Sequence, residues 1–216
     1  MAVQEICPKC NVEVKSGWIA SEKFISNEKT IIINEFNDET YDTYCNKCGD
    51  SLYEPARLKL ISERKELFTH LESLISNVPV VSIHSPMNWD YEILELVTSQ
   101  STTGTGFISE FTSSFADIFG TQSGQYNKKL KSGETRCITQ LRKQALDLGA
   151  NAIIATDIDY AEVGGLKGML MVCMSGTAIK LKNVEILRVE KSEQMNELIS
   201  LNKRLLHLTK YTINEF

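Results

Sequence analysis

The chain has 216 residues, 42% of them hydrophobic and 24% charged, with a formal net charge of −5. This balance excludes a wholly disordered chain and argues against a surface built to neutralise many phosphates. The length allows one or two domains. The opening MAVQEICPKC shows no basic stretch leading into an apolar run, so no signal peptide is expected. The longest strongly apolar stretch, MLMVCM, falls far short of the roughly 20 residues of a membrane helix. A cytoplasmic protein away from the membrane is expected, and in that reducing compartment paired cysteines point to metal before disulfides.

Taken in chain order, residues 1–53 read as a small β module. Cys7 and Cys10 form one CxxC knuckle, and Cys45 and Cys48 form another after 34 intervening residues. A CxxC turn places two thiolates on one side of a metal, so two such turns complete a four-sulfur tetrahedron. One structural Zn2+ per chain is expected. A redox CxxC would need a βαβ context around a single motif, and a catalytic zinc keeps an open position that four cysteines close. The β-branched TIIINEF reads as strand within a zinc-ribbon-like module. Gly49, after the second pair, suits a positive φ that turns backbone N–H groups towards sulfur. Lys9 and Lys47 lie inside the knuckles, where cations would offset the thiolates. Trp18, Phe24, Tyr41 and Tyr44 supply a miniature core, or alternatively a stacking surface for nucleic acid.

Residues 54–78 read as a helical linker. Pro55 suits the first turn of its helix, and Leu60, Leu67, Leu71 and Leu74 form one stripe. Residues 79–182 read as an α/β unit. VVSIH and YEILELVTSQ are expected strands. FISEFTSSFADIFG is an expected helix, and a longer one follows with Ser123 as N-cap, Gly133 marking a bend and Gly149 at its end. Its buried face is Ile138, Leu141, Ala145 and Leu148. AIIATDIDY and GMLMVCMSGTAIKL read as a hairpin. Residues 183–216 hold a C-terminal helix over 185–208, with Leu198, Leu201, Leu205 and Leu208 spaced for a helix–helix seam. The fold class is thus α/β in the α+β sense, with an N-terminal zinc ribbon, a helical linker, a two-layer domain with antiparallel sheet, and a C-terminal helix.

On the last strand Met169, Met171 and Cys173 share one face, and Leu170, Val172 and Met174 share the other. A strand apolar on both faces asks for cover on each. A second subunit would supply it, or the terminal helices would fold back.

Three motifs in order carry a resemblance. They are Ser123-Gly124 with Tyr126, then LGANAI leading to DIDY, then SGTA at the strand end. Over about residues 80–182 the chain resembles the YbjQ family, whose members are labelled heavy-metal-binding. The resemblance implies a dodecin-like β-α-β unit and a ring-shaped homo-oligomer, commonly a pentamer, without established enzymatic activity. Gln122 stands where members commonly have Arg, and SIHSPMNWDYEI lacks the glycines usual there.

Asp157 and Asp159 are spaced to share a strand face with Ile153 and Ala155, where two carboxylates would suit a hard cation or simply meet solvent. Cys137 and Cys173 read as packed thiols. His70, His84 and His207 share no ligand spacing with the cysteines, and TTGTG lacks the Lys-Ser/Thr of a phosphate loop. No catalytic constellation emerges. The expected function is a non-enzymatic ring that displays zinc modules to a protein partner. Metal handling by the α/β unit is the alternative, and nucleic-acid binding through the ribbon a further one.

Overall fold

The computed structural model describes residues 5–14, 23–103, 121–163, 169–187 and 189–213. Its elements are β1 (Glu5–Ile6), β2 (Glu13–Val14), α1 (Asn27–Phe36), α2 (Asn46–Leu74), β3 (Tyr91–Thr103), α3 (Thr121–Asp147), β4 (Ala152–Val163), β5 (Met169–Leu181) and α4 (Val189–Thr209). They fall into two compact units, one of residues 1–70 and 203–216, the other of residues 71–202. No helix among the described residues is long and apolar enough to cross a membrane.

In the first unit, β1 and β2 pair antiparallel around the first knuckle. The expected strand at TIIINEF is instead helix α1. Ser26 caps it, accepting from the Lys29 N–H at 3.4 Å, while the Thr30 hydroxyl donates back to the Ser26 carbonyl at 3.2 Å. Ile32 is then buried with Ala56 and Leu60 of α2 and Leu208 of α4. Capping and tertiary burial thus override the strand preference of β-branched residues. The linker helix also begins earlier than expected. Helix α2 starts at Asn46, so Pro55 lies in its interior and not in its first turn. Its stripe packs as expected, with Leu60 and Leu71 buried and Leu67 and Leu74 half-buried.

The end of α4 is tied into this unit by charge. Arg204 pairs with both Glu35 and Glu63, and Glu35 also meets His207 at 3.0 Å and the Tyr211 hydroxyl at 2.5 Å. Arg64 donates to the Leu208 and Tyr211 carbonyls at 2.5 and 2.6 Å, satisfying acceptors that a helix C-terminus leaves open.

The second unit is a three-stranded antiparallel sheet in the order β3-β5-β4, with α3 on one face. Val172, Met174 and Ala178 of β5 pack there against Cys137, Leu141 and Ala145 of α3. Helix α3 already includes Ser123, so that residue is not the N-cap. Leu148 is exposed and Leu146 is buried in its place. Gly149, at φ +81°, ends the helix as expected. Gly133 serves close packing: a Cβ there would come within 2.8 Å of Val172 Cγ2. FISEFTSSFADIFG lies outside the described residues. VVSIH forms no strand. It makes one parallel bridge, Val80 to Ile153, and four backbone hydrogen bonds that bind residues 79–83 to the bulged edge of β4. Towards one end the outer sheet face is covered within the chain, where Val81, Trp89 and Tyr91 pack on Ala152, Ile154 and Ile179. Helix α4 follows the expected C-terminal helix closely, with Leu198, Leu205 and Leu208 buried and Leu201 half-buried.

Candidate metal centre

The four knuckle cysteines converge. The Sγ atoms of Cys7, Cys10, Cys45 and Cys48 all lie within 4.8 Å of one another. Those of Cys10 and Cys45 are 3.7 Å apart. A tetrahedron of sulfurs about 2.3 Å from a central ion has edges of about 3.8 Å, so the donor set fits one tetrahedral metal.

Each knuckle is shaped by local backbone bonds. The Cys7 N–H donates to the Val12 carbonyl at 2.9 Å, and the Asn11 N–H donates to the Cys7 carbonyl at 2.8 Å. Asn11 takes φ 58°, the left-handed conformation that Asn tolerates better than most residues. The positive φ expected of Gly49 therefore belongs to the first knuckle instead. Gly49 sits in α2, where a Cβ would meet Ile25 Cγ2 at 2.4 Å, so its role is close approach. Cys45 is held by its bridge to Phe24, and Cys48 lies in the first turn of α2. The positive end of that helix acts in favour of a thiolate there, but burial and the neighbouring thiols outweigh it while no cation is bound.

Val14 and Phe24 wall the cluster, in which Cys7 and Cys45 are fully buried and Cys10 is exposed. Burial alone would raise the Cys7 thiol, but N–H donors at Cys45, Cys10 and Lys9 outweigh it and bring the group down to about 6. Burial and the thiols of Cys10 and Cys45 push Cys48 up to about 12. One sulfur is thus ready as thiolate, and a cation is needed to bring the raised Cys45 and Cys48 thiols to that state.

The aromatic core forms in part as expected. Tyr44 is buried, its hydroxyl donating to Asn34 Oδ1 at 2.7 Å, and Tyr41 meets its ring edge-on at 5.6 Å. Lys9 lies 3.6 Å from Glu39 and 5.5 Å from the centre of the Tyr41 ring. Trp18 falls outside the described residues.

Asp157 and Asp159 are exposed on β4. They do not share a face with Ile153. A register shift between Ile154 and Asp157 adds a residue to β4, with Ala155 at φ 52°. Ile153 stays in the helix-side core, while Asp157 pairs with Ser175 and Asp159 with Cys173 on the outer face. Gly176 admits the bulge, since a Cβ there would lie 2.6 Å from Ile153 Cγ2. Both carboxylates line an open cavity of about 470 Å³ with Thr98, Gln100, Cys173 and Ser175. Among the described residues, the cysteines are the one group of three or more His, Cys, Asp or Glu donors gathered as ligands. Cys137 is buried in the core, its thiol donating to the Val172 carbonyl at 3.3 Å. The Glu35–Arg204 pairing could not be found from spacing, because it joins residues 169 apart in sequence.

Fold and site together define a two-unit protein with four converged cysteines able to hold a metal in one unit and a helix-backed antiparallel sheet in the other. The family model YbjQ, described as "Putative heavy-metal-binding", matches residues 81–182. Two relatives, each a "UPF0145 protein" of Actinobacillus pleuropneumoniae, one from serotype 5b strain L20 and one from serotype 3 strain JL03, are 33% identical over 109 residues. The match covers 50% of this chain and 99% of each relative. The chain belongs to the YbjQ family. A crystal structure of a DUF74-family protein with unknown function from Pediococcus pentosaceus has 19% identity and a TM-score of 0.32, covering 48% of this chain and 96% of that one. All four knuckle cysteines lie outside the matched residues, so the family description and the cysteine centre concern different units.

Proposed function

We propose that the protein is a non-enzymatic assembly protein of the cytoplasm, a zinc-loaded homo-oligomer in which each subunit displays a cysteine-bound head to a protein partner. The observation that carries this reading is the four-sulfur set, which leaves no open position for water or substrate and so serves structure. Thiolates in tetrahedral array suit zinc among common cellular cations. Assembly through the second unit is supported by the outer sheet face. There Ile93 and Leu96 are 67% and 62% exposed, and Met171 and Cys173 are half-buried. Apolar surface of that kind suits a second copy, and a five-membered ring is the state the family resemblance implies. Repeated heads on one ring would bind a repeated partner with raised avidity.

Light scattering on the intact protein and on Leu96→Glu tests the assembly. The wild type is expected at several times the chain mass and the variant at a lower mass; a monomeric wild type contradicts the reading. The cavity beside Asp157 and Asp159 favours a second reading, metal handling by the YbjQ unit. In that case a chain with its knuckle cysteines changed to serine would still bind a divalent cation, and Asp157→Asn would abolish the binding.

A further inference from the structure

Within the second unit, Arg142 of α3 is half-buried and donates its Nε–H to the Val78 carbonyl at 3.0 Å. Among the described residues it has no carboxylate partner, and its terminal amino groups meet no acceptor. A guanidinium stays charged at ordinary pH, and the terminal amino groups of Arg142 are not among the fully buried atoms, so an entering ligand can reach them. Burial lowers the pKa of Arg142.

The side chain lines a cavity of about 270 Å³ at the β4 edge, with apolar walls from Val80, Ile138 and Ile158 and hydroxyl residues Ser82 and Thr156. The Thr156 hydroxyl is buried and has no hydrogen-bond partner among the described residues. Two polar groups with unused hydrogen-bonding capacity therefore share one small pocket, and one of them is a full cation.

We infer that this pocket binds a small oxyanion, a carboxylate or phosphate on a short apolar body, held by the terminal amino groups of Arg142. The planar fork of a guanidinium matches either group with two parallel N–H···O bonds. The volume lies just below the roughly 300–1,000 Å³ of pockets for drug-sized ligands, which restricts the occupant to a small molecule. Val80, Ile138 and Ile158 accept an alkyl body and not a second charge. The site shares no residue with the cysteine centre or the Asp157 cavity, and it stands whether or not the assembly reading holds.

The test titrates the metal-loaded full chain with inorganic phosphate and, separately, with butyrate, using calorimetry and the Arg142 Nε–H resonance. Saturable binding of at least one probe, one site per chain, is expected, and the tighter probe identifies the head group. Arg142→Gln is expected to weaken it at least about tenfold, the scale of a lost charge-assisted hydrogen bond. Arg142→Lys, which keeps the charge without the fork, falls between, while Lys128→Gln on the exposed side of α3 matches the wild type. Should Arg142→Gln not fold, the Arg142→Lys affinity and the wild-type resonance shift decide. Failure of both probes to saturate, or equal binding by wild type and the Arg142 variants, overturns the assignment.

Discussion

Removing the metal should melt the knuckles and spare the helices. Among the described residues, the cluster around the cysteines contains few other apolar side chains, chiefly Val14 and Phe24. Burying two such side chains contributes about 3–6 kcal/mol. Ordering the backbone of residues 5–14 alone costs about 10–20 kcal/mol. The shortfall is close to the roughly 10–16 kcal/mol of apparent stabilisation that a structural zinc gives a finger peptide. The helical part of the same unit has its own core in Ile32, Ala56, Leu60 and Leu208, with no cysteine in it. A chelator under reducing conditions, followed by amide hydrogen exchange, reads the two parts separately. The Cys7 and Asn11 amides, hydrogen-bonded only within the knuckle, should exchange like those of an unfolded peptide. Amides of α1 and of α2 beyond its first turn should keep their protection. Retained protection at Cys7 would refute the role given to the metal, and simultaneous loss at Leu60 would refute the separation of the two cores.

Three further outcomes follow from packing, hydrogen bonding and charge. Gly133→Ala should destabilise by about 1–2 kcal/mol in urea unfolding, because the 2.8 Å approach to Val172 outweighs the gain in helix propensity; a net stabilisation would contradict the packing role. Asn151→Ala removes a carboxamide that donates to the Leu181 carbonyl at 2.9 Å and accepts the Leu181 N–H at 2.6 Å. Leaving both buried backbone groups unpaired should cost about 2–5 kcal/mol in the same assay. Burial alone would raise Glu35, but hydrogen bonds with Tyr211, His207 and Arg204 outweigh it and bring the carboxyl from 4.5 to about 2. Its folded pKa is depressed, so its contribution is complete above the unfolded value and disappears as pH falls from about 4.5 through about 2. Glu35→Gln should therefore lower stability by at most about 3 kcal/mol near neutral pH, and the difference from wild type should close across that acid window, as followed by circular dichroism.

The cysteine centre was legible because it rests on spacing: two CxxC turns bring four thiolates together whatever lies between them. What lay between them was not legible. Ile31, Ile32 and Ile33 suit a strand by local preference, and only the Ser26 cap and the buried contacts to α2 and α4 make them helix. The alternation in β5 placed its two faces correctly, because that strand pairs on both sides through its middle. The same alternation failed on β4, where a single bulge at residues 154–157 moves Asp157 and Asp159 to the other face from Ile153. Gly176 was the available signal, a glycine in the facing strand, but nothing local in β4 announces the extra residue. Arg142 and Glu35 show a different limit: their partners, or lack of them, depend on segments far away in the chain.

The most direct test of the account is native mass spectrometry of the intact protein, which reads subunit number and bound metal together. A ring of several chains carrying one zinc per chain is the predicted result. A metal-free monomer would contradict both the cysteine centre as a structural site and the assembly built on the YbjQ unit.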